Sequence, residues 1–246
     1  DVSRFITEPA REIVLKHSRR ISKAVQEQSE IPISRIAGIR KQKKYLPRPA
    51  EGSAQHINNL GQINLKEGKW LILSRTKSNL LTIMEELRRK NLYYESNKGK
   101  SFTVGIYKAA VAYTKWRTEE ALEATEINDI RDYIPNAKFW NKDKEWYDVF
   151  TAAPHKEVLY IRNMLADGEK LSGKARIFVS TIHAAKGGEE DNVILSLHQS
   201  SKVQKGIKQS VDKQDEEHRV WYVGISRARN NLYKLKAKKV IKEYKL

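Results

Sequence analysis

Short runs in which nearly every residue is apolar, set between longer amphipathic stretches, constrain this chain more than any other feature. Trp70-Leu71-Ile72-Leu73-Ser74 is one, and residues 176–180, 193–197 and 232–235 supply others. A strand that is apolar at successive positions has no face to offer water, so it must be covered on both sides. Runs of this kind separated by helices build a mostly parallel sheet with helices on both faces. The expected class is therefore α/β. Residues 102–165 break the pattern. They hold Trp116, Trp140 and Trp146 and an acidic run from Glu119 to Asp132, with no strong strand, and read as a helical insertion.

The rest of the chain reads more coarsely. The first 30 residues are expected to be helical, with Ile13, Val14, Ala24 and Val25 on an apolar face and Pro32 as the stop. The basic, proline-punctuated stretch Arg40 to Pro49 should be extended and exposed, and residues 50–68 a loop. The pattern then predicts a helix from Leu80 to Lys90, a polar loop from Gln199 to Gln214, and a long helix from Asp215 to Arg229. In that long helix Glu216 and Arg219 are spaced to pair on one face, and Asn230-Asn231 can close it before the last strand.

Charge narrows the partners. The 246 residues carry a formal net charge of +17. The excess sits at the ends: 12 Lys/Arg against 5 Asp/Glu in residues 1–50, and 13 against 5 in residues 199–246. Between them the chain is nearly balanced. Such an asymmetric basic footprint suits a phosphate-bearing partner, with steep dependence on salt. There is no cysteine, which excludes disulfides and thiolate metal sites, and the histidines show no metal-ligand spacing. No metal ligands are expected in the chain. No apolar stretch approaches a membrane span and no signal-peptide pattern is visible, so an intracellular location without a membrane partner is expected.

Three constellations carry the chemistry. The run 177–180 leads into Thr181 and His183, polar groups at the carboxyl edge of a strand, where open α/β sheets bind ligands. Lys186-Gly187-Gly188-Glu189 follows, with backbone free to approach a ligand and a carboxylate able to accept from a sugar hydroxyl. The helix beginning at Asp215 ends near Arg227, a planar and permanently charged fork suited to phosphate. Arg75 stands directly after the strand 70–74. Each also has a plain structural explanation as turn, helix-dipole partner or surface charge.

In order and register, however, the three resemble motifs IV, V and VI of UvrD/Rep-type superfamily 1 DNA helicases. Leu71-Ile72-Leu73-Ser74-Arg75-Thr76 resembles the family's apolar strand followed by Arg-Thr. Thr181-Ile182-His183-Ala184-Ala185-Lys186-Gly187-Gly188-Glu189 is similar to Thr-x-His-x-x-Lys-Gly-Leu-Glu. Glu216-Glu217-His218-Arg219-Val220-Trp221-Tyr222-Val223-Gly224-Ile225-Ser226-Arg227-Ala228 resembles Glu-Glu-x-Arg-Leu-x-Tyr-Val-x-x-Thr-Arg-Ala. Gly188 replaces the usual leucine and Ser226 the usual threonine. Ser18-Arg19-Arg20 resembles only loosely the Ser-Tyr-Arg stretch that follows motif III.

The resemblance implies a RecA-like domain 2A with a reduced 2B insertion. Residues 1–101 would be its first part with a basic lead-in, 102–165 the helical insertion, and 166–246 the second part. It implies that Arg75 and Arg227 reach the γ-phosphate of ATP, that Glu189 holds the ribose beside the Gly187 backbone, and that Thr181, His183 and Lys186 contact single-stranded or partly duplex DNA. Glu216, Arg219, Tyr222 and Ser226 would support motif VI. ATP and Mg²⁺ would be held mainly by an N-terminal RecA-like domain 1A. Movement 3′ to 5′ on single-stranded DNA and a role in repair or replication are family implications only.

A phosphate loop is not found in the 246 residues. Gly99-Lys100-Ser101 has the ending of one, but the position of its first glycine is Tyr94, and no apolar run ending in paired acids follows. The chain alone is therefore expected to lack robust ATPase. A non-catalytic nucleic-acid-binding module derived from a helicase is the other reading. A nuclease fits poorly, for want of clustered acids with a lysine on adjacent strands.

Overall fold

All five residues of Trp70–Ser74 are buried, and this strand lies at the centre of a seven-stranded sheet. The computed structural model describes residues 20–38, 46–185, 188–238 and 242–246. In chain order the elements are α1 (Lys23–Ser34), β1 (Ser53–Ile57), β2 (Trp70–Ser74), α2 (Lys77–Arg89), β3 (Tyr94–Ser96), β4 (Gly99–Lys100), α3 (Val104–Arg117), α4 (Ala124–Arg131), α5 (Trp146–Val149), α6 (His155–Ala166), β5 (Ile177–Thr181), β6 (Glu190–Ser196), α7 (Ser201–Ile207), α8 (Val211–Ile225) and β7 (Ala228–Leu235). The strands lie in the order β1-β7-β6-β2-β5-β3-β4, and every pairing is parallel except β3 with β4. The expected α/β, RecA-like architecture is what the chain adopts: a mostly parallel sheet flanked by helices.

Side-chain alternation along the central strands divides the core in two. Leu71, Leu73, Val193 and Leu195 point to one face, where Val25 of α1 and Trp221 and Ile225 of α8 cover them. Trp70, Ile72, Val179 and Ile194 point to the other, under Ile83 and Leu87 of α2. A third cluster, with Tyr113, Ile130, Ile161 and Met164 fully buried, belongs to the helices α3 to α6. Tyr93, Phe102 and Leu171 join the same cluster, so the helical block is packed against the β3 end of the sheet.

Several boundaries differ from the sequence reading, each for a local reason. Residues 1–19 and 39–45 lie outside the described residues, so the expected helix around Ile13 and Val14 and the basic stretch from Arg40 are not described. Pro32 does not stop α1 but sits in its last turn, where it forgoes a single helical hydrogen bond. The expected loop 50–68 contains the edge strand β1, which reads as polar because only Ile57 of its five residues is buried. The expected polar loop 199–214 holds α7 and the first turns of α8. Two serines cap them: Ser200 Oγ accepts from Val203 N at 3.3 Å and Ser210 Oγ from Lys213 N at 3.2 Å.

The long helix ends at Ile225, not Arg229, and Asn230 and Asn231 lie inside β7. Their amides lace the ladder together. Asn231 Nδ2 donates to Asn192 on β6 (2.9 Å), Ser53 on β1 donates to Asn231 Oδ1 (2.9 Å), and Asn230 Nδ2 donates to Asp191 (2.8 Å). Helix α2 starts earlier than expected, because Thr76 caps it by accepting from Asn79 N. Gly99 opens β4 at φ 102° opposite Ser96, so Gly99-Lys100-Ser101 is the return strand of a hairpin and not a phosphate loop.

Candidate functional site

The parallel strands share a carboxyl edge at which Ser74, Thr181 and Ser196 stand in register. Arg75 leaves β2 there and turns onto α8. Its guanidinium grips the Glu217 carboxylate, Nε at 3.1 and 2.9 Å from the two oxygens and Nη2 at 2.8 Å from Oε2. Glu217 Oε1 also accepts from Gln199 Nε2 (3.2 Å) and Trp221 Nε1 (2.8 Å). With its side chain only 5% exposed, Glu217 is a buried anion fully matched by donors.

Thr181 closes β5, and its Oγ1 accepts from Ala184 N at 3.3 Å to open the following turn. His183 projects from that turn into solvent. Partial burial, and then the positive charge of Arg75, hold its pKa below 6.5, against the opposing pull of Glu217. At neutral pH the ring is uncharged, with a flat face and one N–H to offer. Lys186 and Gly187, which complete the motif, lie outside the described residues. Gly188 meets nothing closer than Ala185 O at 3.5 Å from its would-be Cβ, so the usual leucine is not excluded by crowding.

From Thr181 the chain crosses to the opposite, amino edge of the sheet, where Glu190 pairs with Ala228. Glu189 receives Arg229 there, Nη2 at 2.6 Å and Nε at 3.1 Å, and Arg20 approaches its other oxygen at 3.5 Å. Arg227 occupies the turn between α8 and β7. Its backbone is fixed at both ends, by Glu190 N on its carbonyl (3.1 Å) and Gly224 O on its N–H (3.3 Å). Its side chain is not matched in this way: among the described residues its buried Nε has no hydrogen-bond partner. Burial, then the charge of Arg20, pull its pKa below the usual arginine value, yet guanidinium stays ionised throughout the working range. Ser226, buried, donates its hydroxyl to Val223 O at 3.2 Å, a bond that a threonine could also make.

The candidate residues thus fall into two groups. Thr181, His183 and Arg75 share the carboxyl edge, while Glu189 and Arg227 share the amino edge. The strand length between the edges is five paired residues, roughly 16 Å. Arg75 therefore stands apart from Arg227, although the sequence reading set both around a single phosphate. Arg219 faces Asp215 at 4.0 Å instead of Glu216, which is exposed. Tyr222 is half-buried on α8.

Three participants escaped the sequence reading. Glu217 is one of three consecutive acids, and only its helical spacing from Trp221 marks it as the inward one. Asp215 accepts the backbone N–H groups of Ala37 (2.9 Å) and Gly38 (2.8 Å), which lower its pKa and fasten the chain after α1 to α8. Arg229 gave no signal beyond its charge. Arg20, by contrast, comes from the weakest of the motif matches and nevertheless sits beside Glu189.

Among the described residues no group of three His, Asp or Glu side chains could hold a metal ion, and no helix is long and apolar enough to cross a membrane. Among curated proteins no relative matches the chain. The family model of the UvrD-like helicase C-terminal domain matches residues 114–239, just over half of the sequence. With its parallel sheet and its two edges of charged side chains, this chain belongs to the UvrD-like helicase C-terminal domain family.

Proposed function

We propose that the chain is the C-terminal motor part of an ATP-dependent DNA helicase or translocase, and that its amino edge forms one wall of the ATP site. The observation that carries this reading is Arg227: a buried guanidinium nitrogen without an acceptor among the described residues, on a backbone locked at both ends. A buried donor left unmatched costs free energy, so a site built this way is complementary to an incoming anion. ATP, with Mg²⁺ held mainly by a RecA-like domain 1A, supplies the phosphoryl group that is transferred to water. Arg227 neutralises charge on that group as an arginine finger. Glu189 accepts from the ribose through Oε2, which Arg20 approaches at 3.5 Å. The Gly187 backbone would lie beside it.

At the carboxyl edge, Thr181, His183 and Lys186 contact single-stranded DNA. The neutral His183 ring suits stacking against a base. Arg75 belongs to this edge as a strut on Glu217 more readily than as a second finger. Coupling between the edges has a physical route, because Ile182, in the strand-facing turn, packs on Gly224, three residues before Arg227. A Cβ on Gly224 would lie 3.2 Å from Ile182 Cδ1. Helices α3 to α6 fit a reduced 2B insertion, and the 3′ to 5′ direction stays an inference from the family.

The test is Arg227→Ala in the protein that includes the N-terminal domain. DNA-stimulated ATP hydrolysis should fall by about 10³-fold or more, as for other arginine fingers, with affinity for a single strand within about twofold of wild type. Unimpaired turnover overturns the role of Arg227.

A further inference from the structure

Farther along the carboxyl edge from Arg75, a cavity of about 470 Å³ opens between the first turns of α2 and the ends of β6 and β7. Lys236, Lys238 and Lys242 line it, with His198, Asn79 and one carboxylate, Glu86. Among the described residues none of the three lysines forms an ion pair. Two carboxylates stand near them, Glu86 on the lining and Glu243, which accepts from Ala237 N at 3.1 Å, so the lining keeps an excess of positive charge.

The arrangement is held in place. Lys242 is carried by a segment that pairs back on the chain after β6, Gln199 N donating to Lys242 O at 2.6 Å and Tyr244 N to Leu197 O at 2.9 Å. His198 forms an antiparallel bridge with Glu243 in the same pairing. On the floor, Asn79 Nδ2 donates to Ser74 Oγ (2.9 Å) and to Ser196 Oγ (2.7 Å), tying α2 to the ends of β2 and β6. Burial and the nearby Lys242 keep the His198 pKa below 6.5, so the imidazole is a neutral hydrogen-bonding group there. The cavity is of the size that takes a small polar ligand, and its charge selects an anion.

We infer that this groove is a second phosphate-binding site, occupied by the sugar-phosphate backbone of a nucleic-acid strand. Its place argues for a strand over a free nucleotide. It opens on the same edge as Thr181 and His183, one strand-end away from Arg75, so a chain lying across that edge reaches both. The inference rests on the strand-binding reading above and extends it by a further run of phosphate contacts.

The experiment uses the 246-residue chain and a fluorescent thymidine oligonucleotide, with anisotropy recorded across a salt series. In K236Q/K238Q/K242Q the stems remain and the charges go, so far-UV circular dichroism should match wild type. Each phosphate contact on a single strand contributes a slope of about 0.7 in log K against log salt, so the variant should lose about 2 from the slope and bind at least about tenfold more weakly at 0.1 M salt. H183A, which removes a contact without a charge, should weaken binding and leave the slope unchanged. Wild-type binding with an unchanged slope in the triple variant overturns the groove alone. A wild-type chain that binds no oligonucleotide overturns the groove and the strand-binding reading together. Displacement of the oligonucleotide by micromolar thymidine monophosphate in wild type, and not in the triple variant, would assign the groove to a free nucleotide and overturn the strand.

Discussion

Removing the Glu217 side chain should be among the most destabilising single changes available outside the apolar core. Glu217→Ala leaves the Arg75 guanidinium, Gln199 Nε2 and Trp221 Nε1 without their shared acceptor. Trp221 is fully buried and cannot recruit water, whereas the Arg75 side chain is 20% exposed and partly can. Breaking a buried pair from one side costs about 3–5 kcal/mol. Solvent access at Arg75 puts this case near the lower end, about 3 kcal/mol. Against a total of about 5–15 kcal/mol for a domain, that is a large fraction. Glu217→Gln keeps an oxygen for Trp221 and loses the charge, so it should cost about 1.5–3 kcal/mol. Urea unfolding followed by tryptophan fluorescence reads the change, since Trp221 stacks on Tyr244 at 4.4 Å and reports that face of the core. Combined with Arg75→Ala in a double-mutant cycle, the pair should show a coupling of about 1–3 kcal/mol. A Glu217→Ala chain within 1 kcal/mol of wild type would refute the reasoning, and so would a coupling near zero.

Three further outcomes follow from the same geometry. Gly224→Ala should destabilise the chain by about 1–3 kcal/mol in thermal or urea melts, because the new Cβ meets Leu195 at 3.1 Å and Ile182 at 3.2 Å on the packed sheet face; a neutral result would mean that α8 can lift. Gly52→Ala should be worse, since φ is +67° and the Cβ would fall 2.0 Å from Ser22 Oγ and 2.3 Å from Asn230 O, and a soluble, wild-type melt would contradict the close approach. His198 and His218 both have pKa values pulled below 6.5, by burial first, then by Lys242 and Arg35 respectively, with Asp215 and Glu217 opposing at His218. The unfolded chain therefore binds more protons in the window below 6.5, so stability is full above that pH and falls as pH drops through it. Urea midpoints at pH 7.5 and 5.5 check the sign, and a higher midpoint at 5.5 would reverse it.

The central sheet was legible because β2, β5 and β6 bury both faces and so display unbroken apolar runs. β1 was not, since an edge strand with one buried residue, Ile57, has the composition of a loop. Asn230 and Asn231 misled for a related reason. Asparagine usually marks turns, and only the presence of Asn192 and Ser53 on adjoining strands makes it a ladder residue. The site divides in the same way. Arg227 and Glu189 could be named from motif spacing, which records chain order. Arg75 stands at the carboxyl edge because it directly follows β2, but that its guanidinium turns onto α8 depends on Glu217, 142 residues distant in sequence. Two serine caps, at Ser200 and Ser210, were available as local signals for α7 and the true start of α8.

Helix α8 can be regarded as a bar held near one end. Arg75 and Gln199, donating to Glu217, pin it by the carboxyl edge, and Arg227 follows its far end ten positions later, about 15 Å along the axis. A tilt of only about 4° about that pin swings the far end by about 1 Å. Under the proposed role, a shift of that size at the reacting phosphate can change a rate by about 100-fold. Because Glu190 N holds the Arg227 carbonyl at 3.1 Å, a shift of that size would carry the start of β6 with it. A small rocking of one rigid rod would switch the arginine in and out of register.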